Sequence, residues 1–143
     1  MGAGAKIMKL LILTQIVDLN DDVLGFMHGW IAEFARKCEK VTVICLKRGA
    51  YNLPANVKVL SLGKESSQSK IKYLINFYKH CWRERKNYDT VLVHMNYEYV
   101  NLGGIFWRLL GKKIALWYAH GYAPLGLKIA EKLTNIIFTS TKS

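Results

Sequence analysis

Two histidines stand where strands of a parallel sheet are expected to end. His120 follows the run Trp117-Tyr118-Ala119 and is itself followed by Gly121, and His94 closes the segment Thr90–His94. A neutral imidazole carries one N–H donor and one acceptor, so at such a position it can hydrogen-bond a sugar hydroxyl or a phosphate. The same residue can also close a turn. A second candidate is the loop Gln15–Gly25 (QIVDLNDDVLG), with Asp18, Asp21, Asp22 and Gly25. Asp21 and Asp22 suit the N-cap and first turn of a helix, where negative charge is favourable, or they face a ligand. Gly25 lets a substrate approach the backbone, or relieves packing at the helix start. A third candidate is the set Lys72, Lys79, Arg83 and Lys86. Their steps of seven, four and three residues return to nearly one side of a helix, where they can meet an anionic surface.

Other chemistries are disfavoured. A dinucleotide-binding loop would read G-x-G-x-x-G, but this first loop has one glycine and three acids that would repel a pyrophosphate. No G-K-[ST] supports a P-loop, no G-x-S-x-G a nucleophile elbow, and no H-E-x-x-H a metal site. No metal and no cofactor is expected. No RNP aromatic motif is present, and nucleic acid is a disfavoured partner.

The elements that must position these residues show in the apolar runs. Lys9–Thr14, Val41–Leu46, Val57–Ser61, Thr90–His94, Ile114–Tyr118 and Asn135–Thr139 read as strands. They alternate little, as strands covered on both faces do. Helical patterns lie between them. One runs from Asp22 as cap to about Cys38, with Met27, Ile31, Phe34 and Cys38 on one face. The others are Ser69–Lys86, Tyr99–Leu110 and Pro124–Leu133. In Ser69–Lys86 the expected buried stripe is Ile71, Leu74, Ile75, Tyr78 and Trp82. This order predicts a single α/β domain of Rossmann-like kind: a doubly wound, mainly parallel sheet of about six strands with helices on both faces. Ligands of such sheets bind beyond the carboxyl ends of the strands.

The chain has 143 residues, of which 51% are hydrophobic, and 21 Lys+Arg stand against 10 Asp+Glu for a formal charge of +11. So apolar a chain is not disordered, and its length suits one core. The charge favours anionic partners: nucleic acid, anionic lipid or phosphorylated substrates. Seven of the bases crowd into residues 64–86, interleaved with aromatics. Three cysteines without C-x-x-C spacing favour a reducing compartment over a disulfide scaffold, hence a cytoplasmic location, peripheral on the inner membrane face if the bases meet lipid. Residues 1–7 read as a leader or flexible start, since Met8 can itself be a start, and residues 8–143 as the domain.

The ordered set MKLLILTQ, FMHGWIAEFARK leading into EKVTVICL, YDTVLVHMN, GKKIALWYAHG and NIIFTSTKS resembles the N-terminal domain of a family-4 glycosyltransferase of the GT-B fold. The resemblance covers essentially all of residues 8–143. It implies retaining, metal-independent transfer of a sugar from a nucleotide-sugar co-substrate to a glycan or lipid-linked acceptor. It makes this domain the acceptor side and implies a C-terminal donor-binding domain as partner. His120 matches the family histidine that reaches the donor sugar. Gly25 matches the glycine loop near the donor phosphates, with Leu24-Gly25 where Gly-Gly is usual. Asp21, Asp22, His94 and Gly121 line the same cleft. The isolated chain is then expected to be inactive. The alternative is a non-enzymatic basic α/β module that binds anionic membrane or single-stranded nucleic acid.

Overall fold

The six apolar runs pair edge to edge in a computed structural model that describes residues 8–21, 25–66, 69–119 and 124–139. The strands are β1 (Lys9–Val17), β2 (Lys40–Arg48), β3 (Val57–Ser61), β4 (Thr90–His94), β5 (Lys113–Trp117) and β6 (Ile136–Phe138). The helices are α1 (Phe26–Lys37), α2 (Lys70–Arg83), α3 (Glu98–Leu109) and α4 (Leu125–Leu133). All five strand pairings are parallel, in the order β3-β2-β1-β4-β5-β6, so the doubly wound Rossmann-like domain is present.

The order dictates where the helices go. The chain steps from β1 to β2 to β3 in one direction, then crosses back to β4 on the other side of β1. Right-handed crossovers in opposite directions land on opposite faces. Accordingly α1 packs through Met27, Ile31 and Ala35 on the face that carries Leu10, Ile12, Val41 and Val43. The helices α2, α3 and α4 pack through Phe77, Cys81, Val100, Trp107, Leu127 and Ala130 on the face of Leu11, Leu13, Val91, Val93 and Leu116. Alternate side chains point to opposite faces of a strand, which separates these two cores. The direction reverses between β1 and β4, and the crevice at their carboxyl ends is the switch point where such sheets bind ligands.

Two expectations are corrected. Ile71, Leu74, Ile75, Tyr78 and Trp82 are exposed, and α2 buries Phe77 and Cys81 instead. The rotation is fixed by polar bonds on the inner flank: Asn76 Nδ2 donates to the Leu62 carbonyl at 2.8 Å, and His80 Nε2 lies 3.0 Å from the Ser61 carbonyl. The second correction is at α1. It begins at Phe26 with Gly25 at the N-cap and no acid in its first turn, rather than at Asp22, which lies outside the described residues. The Gly25 N–H donates to the Asp21 carbonyl at 3.1 Å, and a Cβ at Gly25 would lie 2.6 Å from that oxygen, so the turn itself requires glycine.

Candidate functional site

Thr14 of β1, His94 of β4 and Trp117 of β5 come together at the switch point because three neighbouring strands run parallel in register. Leu13 pairs with Val93 and His94 with Trp117, so the next residue of β1 meets the last of β4. All three side chains point to the α1 face. There α1 adds Phe26 and Trp30. The His94 ring stacks on Trp117 at 5.2 Å between centroids with a 19° interplanar angle. It meets Phe26 and Trp30 edge-on at 5.8 and 5.9 Å, and Trp30 meets Trp117 edge-on at 5.3 Å. Aromatic pairs of this geometry contribute about 0.5–1.5 kcal/mol each beyond their buried area, so the box holds its shape before a ligand arrives.

His94 is only 2% exposed. Its Nδ1 lies 3.2 Å from the Thr14 hydroxyl, and its Nε2 is buried with no hydrogen-bond partner among the described residues. Burial pushes its pKa below the ordinary imidazole value, so the ring is neutral at physiological pH. With the Thr14 hydroxyl donating to Nδ1, Nε2 carries an unused N–H. With Nδ1–H donating to Thr14, Nε2 is an unused acceptor. A buried polar atom left in either state costs roughly 1–3 kcal/mol. Immediately after His94, Met95 sits at φ 65°, a left-handed conformation that is rare outside glycine. Its N–H bonds the Trp117 carbonyl at 2.7 Å, holding the strained turn against β5.

A groove of about 630 Å³ runs along this face. Its floor is Leu92, Ala115, Ile136 and Phe138, its wall is Trp30 and Phe34 of α1, and His94 and Trp117 lie at its carboxyl end. That size suits a small-molecule ligand, and an apolar lining with few polar groups is usual for one. The groove exists because α1 covers only the β1–β2 side, leaving β4–β6 open among the described residues.

The sequence candidates divide as follows. His94 lies in the box, and Gly25 immediately precedes Phe26, one of its walls. Asp21 sits in the loop between β1 and α1, where its N–H bonds the Asp18 carbonyl at 3.2 Å. The Asp18 carboxylate is used locally, accepting from the Asn20 N–H at 2.9 Å. Asp22, His120 and Gly121 lie outside the described residues. Lys72, Lys79, Arg83 and Lys86 are exposed on or just after α2, across the sheet from His94, so they belong to a different surface. Trp30, Trp117, Thr14 and Met95 were not singled out for this site by the sequence patterns. The available signal was the parity of Trp117 with His94 at the ends of neighbouring strands. Among the described residues no cluster of three His, Cys, Asp or Glu could hold a metal.

No protein-family model and no curated protein matches the chain. Solved structures do. The chain is similar to a candidate UDP-N-acetylglucosamine 2-epimerase from Listeria monocytogenes, with a TM-score of 0.57 and 13% identity over 95% of this chain. It spans only 40% of that protein's length. It is also similar to a protein of unknown function from Vibrio parahaemolyticus, with a TM-score of 0.52 and 11% identity, covering 99% of this chain and 98% of the other. At such identities the likeness establishes the Rossmann-like fold.

Proposed function

We propose that the chain is a nucleotide-sugar-related lobe, and more specifically the acceptor-binding half of a retaining glycosyltransferase. The carrying observation is the buried, neutral His94 with an unused ring nitrogen, walled by Trp30 and Trp117 at the carboxyl edge of a parallel sheet. Aromatic faces stack on the apolar face of a sugar ring, and displacement of the Phe26 or Trp30 edge by the ligand lets the imidazole give one directional hydrogen bond to a hydroxyl. The candidate epimerase among the similar structures supports a sugar-handling fold, and its greater length fits a partner lobe beyond this one. In this reading the donor nucleotide is held chiefly by a C-terminal domain, His120 reaches the donor sugar, and Gly25, Asp21, Asp22 and Gly121 line the cleft. Metal is not required, because cationic side chains and backbone N–H groups of the second lobe stabilise the leaving diphosphate.

Nuclear magnetic resonance titration of the chain with short glycans and with nucleotide-sugars tests this. Glycans are expected to shift the His94 ring and the Trp30 and Trp117 indole resonances. No shift at these three residues with any glycan or nucleotide-sugar would overturn the reading. Residues 1–143 alone are expected to give no transfer, with transfer appearing when a donor lobe is joined and falling strongly in His120→Ala.

A further inference from the structure

The flank of α2 that turns toward α3 is apolar and open to solvent. Ile71, Ile75, Tyr78 and Trp82 recur at steps of four, three and four residues and are all exposed. The outward face of α3 repeats the pattern with Leu102, Ile105 and Leu109. The two stripes adjoin, because the Tyr78 hydroxyl donates to the Leu102 carbonyl at 2.6 Å and the Trp82 ring lies 6.3 Å from Phe106. Exposure is greatest at the aliphatic residues: Ile71 is 73%, Ile105 64% and Leu109 82% accessible. A helix packed on a sheet normally turns its polar face to water, and a contiguous apolar patch marks an interaction surface.

Bases border this patch. Lys72, Lys79 and Arg83 share the outward side of α2 next to the stripe, Arg108 stands on α3 with its guanidinium donating to the Leu133 carbonyl at 3.1 Å, and the Arg85 guanidinium lies 3.7 Å over the Trp82 ring. No acid occurs in α2, and α3 has Glu98 alone. Between the helices a cleft of about 640 Å³ opens beside the patch, lined by Leu74, Leu102, Tyr73 and Phe77 with Lys64 and Lys70.

We propose that the α2–α3 face seats the protein on an anionic lipid bilayer. Ile71, Ile75, Ile105 and Leu109 enter the acyl boundary, Tyr78 and Trp82 lie at headgroup level, and the bases meet lipid phosphates. A second copy on this patch would set bases against bases. Nucleic acid would satisfy the bases but leave the aliphatic side chains unused, since base stacking needs an aromatic face. A lipid surface uses every feature: apolar depth, amphipathic aromatics at the boundary and flanking cations. Among the described residues no helix is long and apolar enough to cross a membrane, so α2 and α3 lie in the membrane plane. This inference is independent of the sugar-handling reading, because His94 and its groove are on the opposite side of the sheet.

The test is sedimentation of the full chain with phosphatidylcholine vesicles with and without phosphatidylglycerol. Binding is expected only with phosphatidylglycerol and is expected to weaken as salt rises. Removing a base, as in Lys79→Gln, should lower affinity about fivefold. Ile71→Ser, Ile105→Ser and Leu109→Ser combined should lower it at least tenfold, roughly, with thermal unfolding unchanged because all three positions are exposed. A second reading needs no aliphatic variant: brominated acyl chains should quench the fluorescence that is lost in Trp82→Phe. Equal binding to neutral vesicles, unchanged binding of the triple variant, or no quenching of Trp82 would each overturn the proposal. So would dimerisation through this face, or oligonucleotide binding tighter than vesicle binding and indifferent to the aliphatic changes.

Discussion

Thr14→Val removes one oxygen from the candidate site and nothing else of comparable size. Thr14 is 0% exposed, and its hydroxyl is the sole hydrogen-bond partner found for the buried His94 ring among the described residues. The 3.2 Å separation is at the long end of the hydrogen-bond range, which puts the pair at the low end of the usual contribution, about 0.5–1 kcal/mol. The larger cost is the imidazole nitrogen left unpaired in an apolar box, roughly 1–3 kcal/mol. Together they predict a loss of about 2 kcal/mol, or roughly 6 °C in Tm for a domain of this size. Replacing both partners, as in Thr14→Val with His94→Phe, keeps the stack on Trp117 and leaves neither group unpaired, so most of the loss should return. Urea unfolding of the four proteins forms a double-mutant cycle, with an expected coupling of about 1–2 kcal/mol. A coupling under about 0.5 kcal/mol would refute the claim that this pair holds the ring.

Burial lowers the pKa of both His94 and His80, with the Ser61 carbonyl partly opposing the shift at His80. Their contribution to stability is therefore full above about pH 6.5 and is lost as pH falls through the folded values, so urea midpoints should drop on acidification and do so less in His80→Gln. Gly103→Ala should cost about 1–3 kcal/mol, because its Cβ would lie 2.7 Å from the ring of the fully buried Trp107; a thermal melt checks this. Burial pushes the Cys45 and Cys81 thiols up to about 12, so neither should react with a neutral-pH thiol reagent until the protein unfolds. Glycan affinity at the groove should not change when vesicles are added, a comparison calorimetry can make directly.

The fold was legible because apolar runs and helical patterns alternate with little ambiguity, and element ends shifted by only a few residues. β1 extends beyond Thr14 to Val17 because Ile16 and Val17 still find partners in Lys47 and Arg48 of β2, which a polarity pattern does not reveal. The rotation of α2 was not legible. That helix has two apolar faces, Phe77 with Cys81 and Ile71 with Ile75, Tyr78 and Trp82, and periodicity cannot say which one points inward. The choice comes from Asn76 and His80, whose bonds to the end of β3 and the residue after it depend on tertiary placement. His94 was readable from its place at a strand end. Its partners were not, because Thr14, Trp30 and Trp117 come from three elements brought together only by the strand order β1-β4-β5 and by the side that α1 covers.

The reversal at β1 has a further consequence for how the two surfaces coexist. Among the described residues one crossover helix covers the face of Thr14, His94 and Trp117 and three cover the other, so there the first face stays open over β4–β6 while the second is layered with helix. A ligand groove needs exposed sheet, and the amphipathic ridge needs neighbouring helices with outward apolar residues. Each face can supply only one of these. The same topology therefore puts the box around His94 and the Ile71–Trp82 stripe back to back, separated by the thickness of the sheet and one helix layer. Sheet and helix layers pack roughly 10 Å apart, beyond direct contact. Lipid seated on α2 and α3 thus leaves the groove free on the α1 side.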